Sequence, residues 1–148
     1  MIAVVQRVKR AAVRVAGTTA GEIGYGILLY LGVESGDTRE QGDMLARKIL
    51  QARIFSDDNG KMNRCITECG GSILVISQFT LCADVTKGNR PSFNGAADPE
   101  VAQQLYGHML QQFGAKVPTA AGIFGAKMEV ESVNDGPVTF LYTVKNRE

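Results

Sequence analysis

The sequence predicts one α+β domain over residues 1–148, with mostly antiparallel strands and two helices. A chain of 148 residues has the length of a single domain. Segments rich in β-branched residues recur along it and are separated by glycine, asparagine and aspartate, which is typical of strands joined by turns. Helical periodicity is confined to residues 37–52 and 98–114. This combination indicates a sheet on which a few helices pack.

The N-terminal segment predicts strands. Residues 2–8 and 11–15 mix β-branched side chains with charged ones, and the turn-forming residues 17–21 follow them. Residues 23–33 predict a longer apolar strand. The three glycines inside that strand indicate a bulge or the close approach of another backbone.

The first helix is predicted to begin at Asp37. This aspartate is a favourable N-cap residue, and Glu40 three residues later completes a capping box. Leu45, Ile49 and Ala52 then share one face, which we expect to pack on the sheet.

A short strand, a turn and a further extended segment are predicted after this helix. Residues 53–55 form the strand, and the Ser-Asp-Asp-Asn-Gly composition of residues 56–60 is typical of a tight turn. Residues 61–64 lead out of the turn.

The most apolar strand is predicted over residues 72–76, and residues 77–81 (Ser-Gln-Phe-Thr-Leu) place polar groups at its end. If the chain stays extended, Gln78 and Thr80 share one face roughly 7 Å apart, because side chains alternate faces. Phe79 is then buried on the other face. A buried strand with a polar end is a rigid base for a site. The alternative is that the hydroxyls only satisfy nearby backbone groups.

A polar loop and a second helix follow. Residues 84–94 have the composition of a loop. Asp98 and Pro99 predict a helix start, since a capping aspartate precedes proline at the first helical position. The predicted apolar face of this helix consists of Leu105, Met109 and Phe113.

Two strands are predicted to close the chain, over residues 126–133 and 138–144. They are joined by Asn-Asp-Gly-Pro at positions 134–137. Pro137 removes a backbone donor at the start of the last strand, and X-Pro bonds are the ones that adopt the cis form. The alternative is an ordinary turn followed by a proline at the strand start.

The composition excludes several classes of protein. A hydrophobic content of 45% and a charged content of 21% are ordinary for a soluble domain. No apolar segment approaches the roughly 20 residues that span a bilayer, and no targeting signal is recognisable. We therefore expect a cytoplasmic protein with no membrane partner. Three cysteines without a CxxC pair and a single histidine, His108, do not form a zinc set, so we expect no metal and no cofactor.

Positive charge is concentrated at the N-terminus, although the net charge is only +1. The first 14 residues contain no acid and four bases: Arg7, Lys9, Arg10 and Arg14. Such a local patch either contacts phosphate or forms a solvated face, and the sequence leaves both interpretations open.

Familiar catalytic motifs are absent from the sequence. It contains no GxxxxGK, G-x-S-x-G or HExxH segment. His108 neighbours an apolar helix face and has no predicted acidic partner, so we do not expect it to act as a base. Neutral polar groups with oriented N–H donors can still bind an anion or stabilise an oxyanion. Those around the strand end are Ser77, Gln78, Thr80, Arg90 and Ser92.

Seven segments resemble the D-aminoacyl-tRNA deacylase family, in order and over essentially the whole chain. They are Gln-Arg-Val at 6–8, Gly-Glu-Ile-Gly at 21–24, Arg-Ile-Phe-Ser-Asp at 53–57, Gly-Lys-Met-Asn at 60–63, Ser-Gln-Phe-Thr-Leu at 77–81, Gly-x-Arg-Pro-Ser-Phe at 88–93 and Asn-Asp-Gly-Pro-Val-Thr at 134–139. The last three are the most specific.

The resemblance implies a barrel-like homodimer that hydrolyses the ester between tRNA and a D-amino acid, or glycine attached in error. In that family the segment corresponding to Ser77, Gln78, Phe79 and Thr80 is catalytic and surrounds the terminal adenosine and the ester. Gly136 and Pro137 correspond to a cis peptide that enters the partner subunit's pocket and excludes L side chains. The residues that we expect to bind tRNA are Arg7, Lys61, Met62, Asn63, Arg90, Pro91, Ser92 and Phe93.

Two mechanisms are compatible with these residues. Thr80 either attacks the ester as a nucleophile, or the ribose 2′-hydroxyl activates water while the N–H groups of Phe79 and Thr80 hold the oxyanion. We favour the second, because no residue in predicted reach is able to deprotonate Thr80.

Two other functions are compatible with the same fold. One is a nucleic-acid-binding module of the DNA-unwinding-element-binding type. Such relatives carry a C-terminal tail, whereas this sequence ends at Glu148, soon after its last predicted strand. The other is a hydrolase of small D-amino-acid esters, which the basic N-terminal segment disfavours.

Overall fold

Runs of apolar and β-branched residues make a sheet the largest part of this protein. The computed structural model describes residues 1–146, and the last two residues of the predicted domain, 147 and 148, lie outside the described part. In chain order the elements are β1 (Ile2–Val15), β2 (Thr18–Ile23), β3 (Gly26–Gly32), α1 (Arg39–Leu50), β4 (Phe55–Ser56), β5 (Met62–Arg64), α2 (Ile66–Cys69), β6 (Ser72–Ser77), a 3-10 turn (Phe79–Cys82), α3 (Pro99–Gly114), β7 (Thr119–Ala121) and β8 (Glu129–Thr143). The short helix α2 was not predicted, because a single turn is too short to show a helical period.

Parallel strands form one side of the sheet, whose order is β2-β1-β3-β6-β7. β3 lies parallel to β6, with Gly26 opposite Ser72 and Leu31 opposite Ser77, and β6 lies parallel to β7. Residues 73–76 of β6 are all buried, as is typical of parallel strands covered on both faces. The predicted α+β class with mostly antiparallel pairing is confirmed, and the unpredicted parallel pairs β3–β6 and β6–β7 make the sheet mixed.

β1 pairs with three other strands. Its first half is antiparallel to β3 and its second half to β2, while β8 follows its other edge almost throughout. The prediction of two separate strands at residues 2–8 and 11–15 is wrong. Lys9 and Arg10 are exposed positions within one continuous strand, not a break between two.

The sheet curves until its two ends nearly meet, in agreement with the implied barrel-like shape. A Cβ added to Gly21 of β2 would lie 2.6 Å from the carbonyl oxygen of Ala121 in β7. Only glycine permits that approach of two backbones. Apolar side chains fill the inside of the curve, among them Val8, Val13, Leu28 and Leu74.

Helices α1 and α3 cover the outer face of the sheet. The core there contains side chains from both predicted apolar faces, including Leu45, Ile49, Leu105, Met109 and Phe113. Helix α3 begins at Pro99 with Asp98 as its N-cap residue, as predicted. None of the helices within residues 1–146 is long and apolar enough to cross a membrane.

Helix α1 begins one residue later than predicted. Its N-cap residue is Thr38, whose N–H donates to Gln41 Oε1 at 2.8 Å. Asp37 instead accepts from the N–H of Glu34 at 2.7 Å and lies 2.8 Å from the Met1 ammonium. Because Asp37 is engaged by these partners, the next residue caps the helix.

His108 links the two long helices. Its Nε2 lies 2.6 Å from Asp43 Oδ1 of α1, so the expectation that it lacks an acidic partner is wrong. The two residues are distant in sequence and meet only because α1 packs against α3. Neither residue lines the cavity described below, which leaves the pair a structural link.

The prediction of two closing strands over residues 126–133 and 138–144 is wrong, because β8 is one strand interrupted by a bulge. Gln6 pairs with Thr139 and Val8 pairs with Asn134, so residues 135–138 bulge out of the ladder. Both halves of β8 find partners along the same long strand β1. The chain therefore has no need to reverse at this point.

Candidate active site

The polar end of β6 folds into a tight turn. Residues 79–82 form the 3-10 turn, and Gln78 Nε2 donates to Thr80 Oγ1 at 2.5 Å. The predicted extended geometry is therefore wrong, and Phe79, predicted to be buried, is 56% exposed. Gly32 of β3 makes room for the turn, since a Cβ there would lie only 3.2 Å from the Gln78 carbonyl oxygen.

Two backbone N–H groups of this turn have no acceptor among the described residues. Within residues 1–146, the N–H of Gln78 donates to Leu31 O and that of Leu81 to Gln78 O, whereas those of Phe79 and Thr80 donate to no backbone oxygen. The first N–H groups of a helical turn characteristically lack partners. Adjacent N–H donors of this kind are suited to bind an oxygen that carries negative charge.

Ser77 and Gln78 open onto a cavity of 470 Å³. Its other lining residues are Leu31, Val33, Ile76, Phe79, Ala96, Ala97, Pro99, Ala102, Phe124, Gly125, Ala126, Met128 and Val130. The walls are mostly apolar with a few polar groups at one side, as is usual for small-molecule sites. Sequence reasoning missed the wall residues, because scattered alanines and single large side chains show no pattern along the chain.

None of these lining residues is titratable. Cys82 is the last residue of the 3-10 turn; its Sγ donates to Val33 O at 3.4 Å, and burial raises the pKa of this thiol. A neutral, engaged thiol is a poor nucleophile. Burial raises the pKa of Cys69 as well. In the described part of the chain, no cluster of His, Cys, Asp or Glu side chains is arranged to hold a metal ion.

The predicted loop segment Arg90–Phe93 meets the turn through an aromatic contact. The rings of Phe79 and Phe93 are edge to face with centroids 5.1 Å apart. The loop before Phe93 is closed by Asp84 and Ser92, which exchange backbone hydrogen bonds of 2.8 and 2.9 Å. Ser77, Gln78, Phe79, Thr80 and this loop therefore form one continuous region.

Gly136 and Pro137 belong to a second region, in the bulge of β8. The peptide bond between them is cis, as the resemblance implied, and both residues are exposed. Arg7 holds the bulge: its Nε lies 3.1 Å from Asp135 Oδ2, and its Nη1 donates to Ile54 O at 2.8 Å. Neither Gly136 nor Pro137 lines the cavity of its own chain.

The structure argues against Arg7 as a direct tRNA contact. Arg7 is only 8% exposed, and its guanidinium is engaged by the bulge and by Ile54. The sequence signal was misleading because Arg7 stands among three other bases in a charged strand. Arg10 and Arg14 are paired with Glu131 at 3.3 and 2.9 Å, so β8 partly neutralises the basic N-terminal segment.

Lys61, Met62 and Asn63, which were also expected to bind tRNA, lie on the exposed hairpin of β4 and β5. This hairpin lies beside the bulge, since the Arg7 guanidinium joins Ile54 to Asp135. None of the three residues lines the cavity.

The model of the family described as D-Tyr-tRNA(Tyr) deacylase matches residues 4–143. The chain belongs to this family. A D-aminoacyl-tRNA deacylase of Histophilus somni (strain 2336) is 52% identical over 144 residues, covering 97% of this chain and 100% of the relative. One of Pelobacter propionicus is 54% identical over 142 residues, covering 95% of this chain and 98% of the relative.

Two solved structures share the deacylase family fold. One, described as c-Myc DNA Unwinding Element Binding Protein, is 40% identical with a TM-score of 0.94 and covers 99% of this chain and 100% of that one. The other, described as a probable eukaryotic D-amino acid tRNA deacylase, has a TM-score of 0.77 at 17% identity and covers 95% and 97%. At that identity the second likeness concerns the fold alone.

Proposed function

We propose that this protein hydrolyses the ester that joins a D-amino acid, or glycine attached in error, to the terminal ribose of tRNA. The observation that carries the proposal is the 3-10 turn at the cavity rim, where the unpaired N–H groups of Phe79 and Thr80 adjoin Ser77 and Gln78. Membership of the deacylase family supports it. We expect the enzyme to act in the cytoplasm, where tRNAs are charged, and to need no cofactor.

The terminal adenosine occupies the cavity, and the ester lies at the turn. Water attacks the carbonyl carbon and loses a proton, while the N–H groups of Phe79 and Thr80 bind the oxygen that becomes negative. Collapse of the intermediate breaks the bond from the carbonyl carbon to the ribose oxygen, which takes up a proton. The products are the free amino acid and tRNA.

The substrate itself supplies the base in this mechanism. No titratable side chain in the described part of the chain lines the cavity, and the hydroxyl of Thr80 has the Gln78 amide, a donor, as its neighbour. The ribose 2′-hydroxyl beside the ester is then the group that orients and activates the water. This leaves Thr80 without a nucleophilic role.

A second copy of the chain completes the site. Gly136 and Pro137 are exposed and do not line the cavity of their own chain, so we propose a homodimer in which each bulge enters the other subunit's pocket. There the two carbonyl oxygens accept from the substrate amino group, and the rigid backbone excludes an L side chain. Arg7 positions the bulge, and Lys61, Met62, Asn63, Arg90, Pro91, Ser92 and Phe93 remain the proposed tRNA contacts.

A nucleic-acid-binding role without hydrolysis is the second candidate, because the solved structure at 40% identity is described as a DNA-unwinding-element-binding protein. The two candidate functions differ in whether they require the cavity. Filling the cavity abolishes ester hydrolysis, whereas binding of duplex DNA to an outer surface is unaffected.

The test compares Ala102→Phe, which places a ring in the cavity, with Gln103→Phe on the exposed side of the same helix. We expect wild type and Gln103→Phe to hydrolyse D-aminoacyl-tRNA in catalytic amounts, and Ala102→Phe to lose activity at least about tenfold, equal to 1.4 kcal/mol, with an unchanged circular dichroism spectrum. If wild type hydrolyses nothing and binds duplex DNA, the second candidate is correct. Equally rapid hydrolysis of a D-amino-acid ethyl ester would instead indicate a small-ester hydrolase.

A further inference from the structure

Two phenylalanine rings stand exposed side by side at the mouth of the cavity, and we call them the aromatic rim. They are Phe79, 56% exposed, and Phe93, 42% exposed. Phe79 also lines the cavity, and Phe93 is joined to it through the hydrogen bond from the N–H of Ala96, another lining residue, to Phe93 O. Clustered exposed aromatic side chains mark binding surfaces on soluble proteins.

The edge-to-face contact keeps the aromatic rim ordered although it is exposed. The two ring planes are inclined by 62° with centroids 5.1 Å apart, a geometry that aromatic pairs favour. An edge-to-face contact engages only the edge of one ring, and both rings keep exposed surface for another partner. A rigid aromatic face loses little conformational entropy when a planar group stacks on it.

Positive charge lies next to the aromatic rim. The loop of residues 84–92 is closed at its base by the Asp84–Ser92 bridge, and its tip carries Lys87 and Arg90, both exposed. Asp84, where the loop closes, accepts hydrogen bonds from the N–H and the hydroxyl of Thr86. Neither Lys87 nor Arg90 forms an ion pair within residues 1–146.

We propose that the aromatic rim and Arg90 form a stacking platform for the unpaired nucleotides that precede the terminal adenosine. The inference rests on the proposed function, in which that adenosine fills the cavity. The nucleotide before the adenosine lies outside the cavity, over the aromatic rim. Its base stacks on an exposed ring, and its phosphate contacts Arg90. Aromatic faces combined with basic groups are the usual means of binding single-stranded nucleic acid without reading its sequence.

The test varies the length of the RNA on the substrate. We expect Phe93→Leu to lower kcat/KM about tenfold on D-aminoacyl-tRNA, from the loss of one stacking contact, and to leave it unchanged on D-aminoacyl-adenosine, which has no preceding nucleotide. Phe93→Trp restores the aromatic face and the rate. Arg90→Gln reduces the slope of log affinity for tRNA against log salt concentration by the amount of about one phosphate contact. The control Val85→Ala, at an exposed apolar residue of the same loop, keeps the wild-type rates.

Several outcomes would overturn the platform. One is an equal loss on both substrates in Phe93→Leu, which would make Phe93 part of the adenosine or amino-acid pocket. Another is no loss on either substrate, and a third is a change of the dimer mass in sedimentation, which would assign the rim to the subunit contact. If wild type hydrolyses neither substrate, the proposed function has failed. The stacking platform is then tested separately by binding of an uncharged CCA-ended oligonucleotide. Equal affinity of wild type and Phe93→Leu for this oligonucleotide would reject the platform.

Discussion

A tRNA whose terminal ribose lacks the 2′-hydroxyl is expected to be deacylated by this protein about 10²- to 10⁴-fold more slowly, the usual contribution of a positioned acid–base group. The reason is that no titratable side chain among residues 1–146 lines the cavity, so the proposed mechanism takes its proton acceptor from the substrate. The measurement is single-turnover deacylation of D-aminoacyl-tRNA ending in adenosine or in 2′-deoxyadenosine. Each rate is divided by the spontaneous rate of the same ester, because that rate also depends on the 2′-hydroxyl.

Thr80→Ala is the companion variant. It removes one hydrogen bond from the Gln78 amide, worth about 0.5–1.5 kcal/mol, so we expect it to retain activity within about tenfold of wild type. Near-complete loss of turnover with unchanged tRNA binding, together with normal turnover of the deoxy substrate, would instead make Thr80 the nucleophile.

Gly136→Ala is expected to lower kcat/KM on D-aminoacyl-tRNA about 100-fold, the effect of displacing a positioning group by about 1 Å. Gly136 has φ of +130°, and a Cβ there would lie 2.7 Å from Val138 Cγ2 and 3.2 Å from Arg7 Nη2. Both neighbours are buried and cannot easily retreat. The bulge must therefore move, and with it the wall that the proposed site receives from the partner subunit.

The control is Gly17→Ala, at the turn between β1 and β2. Gly17 also has positive φ, at +80°, but a Cβ there would meet nothing within 4 Å. It therefore reproduces the backbone strain, about 1–2 kcal/mol, without disturbing a neighbour. Unfolding in urea is expected to show a loss of stability in Gly17→Ala with near-normal deacylation. Similar deacylation rates in Gly136→Ala and Gly17→Ala would remove the bulge from the site.

The elements that sequence reasoning predicted well are those whose signals are local. Asp98 and Pro99 mark the start of α3 by their own chemistry, and residues 73–76 are apolar enough to require burial on both faces. The polar end of β6 was predicted to be a site from its local composition, and this assignment stays a prediction. The conformation of this strand end was not predicted, since the turn at Phe79 depends on space above Gly32, a residue of another strand.

The features that were missed depend on contacts between distant segments. Residues 134–137 look like a hairpin turn along the chain, and only the long strand β1 makes them a bulge. Arg7 looks like one of four exposed bases until that bulge covers it. The apolar wall residues of the cavity, such as Phe124 and Met128, show no sequence signal for a cavity, because apolar residues of the same types also fill the core.

The most direct test of the central claim is deacylation of one tRNA charged with either D-tyrosine or L-tyrosine. With catalytic amounts of the protein, we expect rapid release of D-tyrosine and release of L-tyrosine at the spontaneous rate. Hydrolysis of neither ester would contradict the proposed function. Equal hydrolysis of both would contradict the role given to Gly136 and Pro137, the residues that we expect to exclude the L side chain.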